Sequence, residues 1–211
     1  MHLFTGIPVQ GRSRNVAKLD RRGGIVAWGM ALRFTASYLE DALAMFRSYK
    51  KLAEGAMSQV TDEQLFAVLD EEMNSIAQLA KHMAGNMRSR WTDFLVSDGE
   101  KPDRRRDSEF VDPPPTREAV MKLWEEGWQR VFAALEPLSD ADLGRTVQIR
   151  GEAHSVMQAI HRQIAHYAYH CGQMVLLAKH FRSAEWRSLS IPRNRSAEFN
   201  RRVEAGEISQ R

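Results

Sequence analysis

Gln163-Ile164-Ala165-His166-Tyr167-Ala168-Tyr169-His170-Cys171-Gly172-Gln173 places two histidines four residues apart in an apolar run whose only helix breaker is Gly172. In a helix each residue advances about 100° around the axis, so the two imidazoles leave one face about 40° apart. Two imidazoles so placed can chelate one metal ion. By the same geometry Arg162, Gln163, Gln173 and Leu177 fall within about 60° of His166, which makes that face partly polar. Taken alone, the spacing is a weak signal, because two histidines on a helix are more often unrelated than paired on a metal.

Working outward, Ser155 caps this helix, which the pattern carries to about Lys179. Three further long amphipathic helices are expected. The first runs within 31–60, with Leu39, Leu43, Phe46, Tyr49 and Leu52 at three- and four-residue steps. The second runs from about Glu72 to Leu95, and the third from the cap Thr116 to Leu135, ended by Pro137. Thr61 caps a short helix to Leu69, and Arg145–Arg150 alternates like an extended piece or small hairpin before Gly151. Residues 96–116 turn to Asp, Gly, Arg and three consecutive prolines, a long surface loop between the second and third long helices. No internal repeat is visible, so the expected fold is all-α, a four-helix bundle with one long crossover loop.

The ends read differently. Residues 1–29 carry Gly6, Pro8, Gly11 and Gly23-Gly24 and look irregular, and helical periodicity starts after Met30. The expected division is an irregular leader over 1–30, with Met30 a candidate start, a helical domain over 31–182 and an extended, partly disordered tail over 183–211.

A 43% hydrophobic fraction supports a sizeable core. A net charge of +3 is too small to argue for nucleic acid, and Arg104-Arg105-Arg106 and Arg201-Arg202, interleaved with acids, read as solvated surface. No apolar segment approaches the roughly 20 residues of a membrane span. One cysteine excludes an intramolecular disulfide framework and agrees with a reducing cytoplasm.

On the second helix, His82 shares an arc with Ser75, Gln78, Asn86, Ser89 and Asp93, and that stripe holds neither lysine nor arginine, the usual occupants of a solvated face. His82 is the best third ligand, because it lies mid-helix in a second long helix at a depth a bundle could align with His166 and His170. His161 lies about 140° from His166, while His154, His180 and His2 sit at helix ends or in the leader. Cys171 reads as a small packed residue, and Trp91, Trp124 and Trp128 as packing anchors.

His82 followed nine residues later by Trp91, with His166-x-x-x-His170-x-Gly172-Gln173 on the last helix, resembles the DinB-like (YfiT-type) metal-binding superfamily over about residues 31–180. The stretches Lys81–Trp91, Ser97–Lys101 and Leu189-Ser190-Ile191-Pro192 look like a bacterial subfamily of unknown function. The resemblance implies an up-down-down-up four-helix bundle, a divalent metal held by His82, His166 and His170, and commonly a homodimer. Some relatives are thiol-dependent transferases or isomerases, and others have been proposed as hydrolases.

The resulting expectation is a metal-dependent enzyme in which zinc or nickel activates water or a low-molecular-weight thiol, with Asn86, Arg162, Gln163 and Gln173 as second-layer or substrate contacts. No carboxylate is spaced as an obvious general base, which favours thiol transfer over hydrolysis. The competing expectation is a non-catalytic bundle that binds a metal or small molecule, or whose role is dimerisation.

Overall fold

The computed structural model describes residues 37–209 and two short strands, β1 (Lys18–Leu19) and β2 (Ile25–Val26). Most of the expected leader lies outside the described residues. Residues 34–193 form one compact unit, and β1, β2 and a short C-terminal helix belong to a second. In the latter, β1 and β2 pair antiparallel, Lys18 opposite Val26, and Ser196–Glu204 forms α6. The expectation of an unbroken extended tail is thus corrected at 196–204, where Ala197, Phe199 and Val203 accompany residues that carry no helix breaker.

The larger unit is mostly helical: α1 (Tyr38–Met57), α2 (Asp62–Phe66), α3 (Ile76–Trp91), α4 (Arg117–Leu135) and α5 (Val156–Arg182). Side-chain caps set the starts. Ser37 Oγ accepts from Glu40 N–H, Thr116 Oγ1 from Ala119 N–H, and Thr61/Gln64, Ser75/Gln78 and Ser155/Gln158 are reciprocal capping boxes. The Ser75 cap shortens the second long helix relative to the expected start at Glu72. Its other end comes at Trp91, because Asp93 adopts φ 50, a left-handed conformation that a helix cannot carry.

The extended piece expected at 145–150 is the first half of a hairpin, β3 (Thr146–Ile149) paired antiparallel with β4 (Glu152–Ser155). Arg150 and Gly151 make its turn, both at positive φ.

Each of the four long helices sends a ring to one buried cluster: Phe46, Trp91, Trp128 and Tyr167, with centroids 5.6 to 6.2 Å apart across the helices. Trp124 is also fully buried. Helices α3 and α4 touch where Gly127 lies against Ala84; a Cβ at 127 would stand 3.1 Å from Ala84 Cα. Among the described residues no helix is long and apolar enough to cross a membrane.

The 96–116 loop is anchored along its length. Asp98 accepts from the N–H groups of Glu100, Arg150 and Gly151 at 2.7 to 2.8 Å, and so ties the loop to the hairpin turn. Gly99 N–H donates to Gln148 O, and Ser89 Oγ donates to Gly99 O and accepts from Lys101 N–H. Further on, Lys81 Nζ donates to the carbonyls of Ser108, Val111 and Asp112, and Gln78 Nε2 to Phe110 O. The polar stripe of α3 lacks lysine and arginine because this loop covers it: Ser75, His82, Asn86 and Ser89 are buried.

Candidate metal centre

Helix α5 presents His166 and His170 one turn apart, and α3 presents His82 opposite them. His166 Nε2 lies 3.3 Å from His82 Nε2 and 3.1 Å from His170 Nε2. The three histidines are the one group of three or more metal-ligating side chains found among the described residues.

Each ring is oriented from behind. His82 Nδ1 lies 2.9 Å from Glu109 Oε2, a carboxylate that only accepts, so the proton sits on Nδ1. His170 Nδ1 faces Gln173 Oε1 at 2.8 Å and His166 Nδ1 faces Gln163 Oε1 at 3.3 Å, with the same consequence. With Nδ1 as the donor of each neutral ring, the three Nε2 lone pairs point at one another. Burial favours the neutral form of the two rings on α5. Burial, followed by the charges of His170, His82 and the nearby arginines, pushes His166 down to about 3, and burial likewise lowers His170.

Such a set of donors repels itself unless a cation sits among them. At a zinc–nitrogen distance of about 2.0–2.1 Å, two nitrogens stand about 3.3 Å apart in tetrahedral geometry and about 2.9 Å in octahedral geometry. The separations of 3.1 and 3.3 Å lie in that range. Imidazole suits zinc, nickel, copper or iron.

Glu109, which sequence reasoning missed, is the residue that makes the His82 orientation firm. It sits in a 3₁₀ turn, Arg106–Phe110, inside the long loop, and is buried at 6% exposure. Arg104 grips it with two parallel bonds of 2.8 and 2.9 Å and also bonds Glu100 at 3.0 Å. Burial alone would raise the Glu109 carboxyl; the bonds from His82 and Arg104 outweigh that and hold it below its usual range. The reading of Arg104-Arg105-Arg106 as solvated surface is corrected for Arg104, whose side chain is 3% exposed because it lies under the loop as the counter-ion of Glu109. A loop residue has no periodicity to betray it. The available signal was Gly85, a glycine in the interior of a helix: a Cβ there would lie 2.7 Å from Glu109 Cδ, so the glycine makes room for this carboxylate. Phe110 completes the wall, stacked on the His82 ring at 4.4 Å.

Of the other anticipated residues, Gln163 and Gln173 stand behind His166 and His170 as described. Asn86 is buried and accepts from Tyr167 Oη at 3.1 Å, which itself accepts from Trp91 Nε1 at 2.9 Å. Asn86, His82, His166 and Arg162 wall a cavity of about 280 Å³ that opens beside the histidines. Asp93, placed on the His82 arc by periodicity, leaves it because the helix ends first. Cys171 is buried with its thiol pushed up to about 12 by burial and donates to Tyr49 O at 3.6 Å, away from the cluster. His161 and His180 are exposed, and His154 bonds a local carbonyl.

No curated protein matches the chain. A family model does match, over residues 33–195 of the 211, and the chain thereby belongs to a protein family of unknown function, DUF1572.

Proposed function

We propose that the protein is a divalent-metal-dependent enzyme of the DinB-like, up-down-down-up four-helix-bundle type, with His82, His166 and His170 as ligands. One observation carries this reading: three histidine Nε2 atoms converge, each ring backed at Nδ1 by a carboxylate or amide oxygen. A metal-ligating histidine normally donates its other N–H to a carboxylate or carbonyl in this way.

The cluster contains no fourth histidine, cysteine or carboxylate among the described residues. Structural zinc is normally closed by four protein ligands, so three favour a centre with open positions. A divalent ion held there lowers the pKa of bound water towards 7 and takes a coordinating thiol in its deprotonated form. Glu109 is committed to Arg104 and His82 and is not free to take a proton from water. That commitment favours a low-molecular-weight thiol over hydrolysis as the nucleophile. The protein's own part is to keep the histidines aimed and to admit a small molecule through the cavity beside them.

Zinc or nickel is the expected ion, and a homodimer the expected assembly. In support of the latter, Tyr169 and Leu176, 63% and 65% exposed, share one face of α5 seven residues apart.

Metal content of tag-free protein tests the core of the proposal. Wild type should carry or take up close to one equivalent of zinc or nickel, and the His166→Ala/His170→Ala variant should not; equal content in both refutes it. A metal-dependent rate with a panel of biological thiols and an electrophile then tests catalysis. Metal binding without any such rate would leave a non-catalytic binding protein. Light scattering of wild type and Leu176→Glu tests the dimer.

A further inference from the structure

The cavity beside the histidines carries more positive charge than the metal ligands need. Five guanidinium groups wall it: Arg90 from α3, Arg104 and Arg106 from the loop, Arg150 from the hairpin turn and Arg162 from α5. They come from four separate elements, so the grouping is a product of the tertiary fold and not of one charged run.

Three of the five have carboxylate partners. Arg104 is held by Glu109 and Glu100, Arg150 approaches Glu100 at 3.4 Å, and Arg106 approaches Asp107 at 3.6 Å on the surface. Arg90 and Arg162 have no ion pair among the described residues. Asp98, the other acid nearby, is engaged by three backbone N–H groups of the loop and turn.

Arg90 is the more telling of the two. It is 2% exposed, and its Nε and Nη1 are buried with no hydrogen-bond partner. Buried polar atoms are nearly always satisfied, and a buried cation without a counter-ion is costly. The fold nonetheless makes room for it: Gly99 lies so close that a Cβ would stand 2.5 Å from Arg90 Nη1. Burial and the like charge of Arg162 push the Arg90 guanidinium down to about 10, which still leaves it cationic at neutral pH.

Arg150 is held just as deliberately. It adopts φ 56, a left-handed conformation unfavourable to a side-chain-bearing residue, and Asp98 fixes that turn by accepting from both Arg150 and Gly151 N–H.

We propose that this cavity recognises a compact dianion, a phosphoryl or dicarboxylate group on the small molecule that reacts at the histidine centre. Two guanidiniums without counter-ions match two negative charges, and the planar fork of arginine suits both oxyanions. A volume of about 280 Å³ accommodates such a group. His82 and His166 belong to both the cavity wall and the metal cluster, so an anion held among the arginines has the rest of its molecule next to the Nε2 atoms. That the anion belongs to a reacting molecule rests on the metal-centre reading above; that the cavity takes a dianion does not.

Calorimetric titration of the full chain, metal-free, at low ionic strength and pH 8, with inorganic phosphate, succinate and acetate as probes, tests the proposal. At least one of the two dianions should bind tenfold or more tightly than acetate, phosphate alone pointing to a phosphoryl group and succinate alone to a dicarboxylate. Arg106→Gln/Arg162→Gln, both exposed positions, should weaken it at least tenfold. Lys51→Gln/Lys122→Gln removes the same charge at exposed sites outside the cavity and should leave it unchanged. No preference for either dianion, or equal weakening by the two double variants, overturns the anion site. Zinc titration of the same samples separates the two readings: dianion binding without zinc binding sinks the metal centre alone, and zinc binding without dianion preference sinks the anion site alone.

Discussion

Gly85→Ala should damage this protein, although the same change in an ordinary helix interior stabilises by about 1 kcal/mol. A Cβ at 85 would lie 2.7 Å from Glu109 Cδ and nearer still to Oε1, against ordinary contacts that begin at 3.4 Å. The end of a glutamate usually swings aside at little cost. This one is held by Arg104 through bonds of 2.8 and 2.9 Å and by His82 at 2.9 Å, under a loop that is itself pinned. Retreat by the required distance stretches those bonds beyond useful length. Charge-assisted bonds contribute about 1.5–3 kcal/mol each, so losing one outweighs the gain of about 1 kcal/mol in helix propensity and leaves a net loss of about 0.5–2 kcal/mol, and losing two leaves about 2–5 kcal/mol. For a domain of this size the loss of one bond corresponds to a melting temperature lower by roughly 1–8 °C. Freeing the His82 ring should also weaken zinc binding by about 10–100-fold, the usual effect of disturbing a partner behind a ligand. Thermal melts of metal-free protein and competitive zinc titration read the two effects separately. A Glu109→Ala background supplies the control: with the carboxylate gone, Gly85→Ala should become stabilising by about 1 kcal/mol. Should Gly85→Ala match or exceed wild type in stability with unchanged zinc affinity, Glu109 does not hold the site as argued.

Glu109→Gln keeps the shape but removes the charge that Arg104 grips, and should lower zinc affinity by about 10-fold or more with a loss of stability measurable by urea unfolding. Gly172→Ala is the opposite case: nothing lies within 4 Å of a Cβ there, so a gain of about 0.5–1 kcal/mol is expected with zinc binding intact; a loss that grows with protein concentration would mean that this face of α5 packs on a second copy. Gly127→Ala should destabilise, because its new Cβ meets Ala84 Cα at 3.1 Å, main chain that cannot swing away. On acidification, the His166 pKa of about 3 lies below its unfolded value of about 6.5. Its contribution is therefore complete above pH 6.5 and declines as the pH falls towards 3. Metal-free wild type should lose melting temperature between pH 6.5 and 4.5, and His166→Gln should show a flatter profile; parallel profiles would contradict the assignment.

The long helices were legible because burial on a helix imposes a 3.6-residue period, and Phe46, Trp91, Trp128 and Tyr167 all fall on it. Helix ends were read less well where a local device decided them. The Ser75/Gln78 box and the left-handed Asp93 trim α3 at both ends, and neither is visible in hydrophobic periodicity. The 196–204 helix was missed for a different reason: it is nine residues long and mostly polar, with Ala197, Phe199 and Val203 its apolar residues, and it buries none of them.

The site divides along the same line. His82, His166 and His170 sit on helices, where spacing translates into direction, and their convergence could be anticipated. Glu109, Arg104 and Arg150 sit on a loop and a turn, where sequence position says nothing about direction, and their placement depends on Asp98, Lys81 and Gln78 holding irregular backbone to α3 and the hairpin. The glycines record this indirectly. Gly85 and Gly99 each leave the space of one methyl group, the first for Glu109 and the second for Arg90. A glycine inside a helix costs about 1 kcal/mol relative to alanine, so its presence beside a histidine is a sign that another segment passes close by. On that argument the loop is part of the centre and not a connector across it, and shortening 97–112 should abolish ordered metal binding even with all three histidines in place.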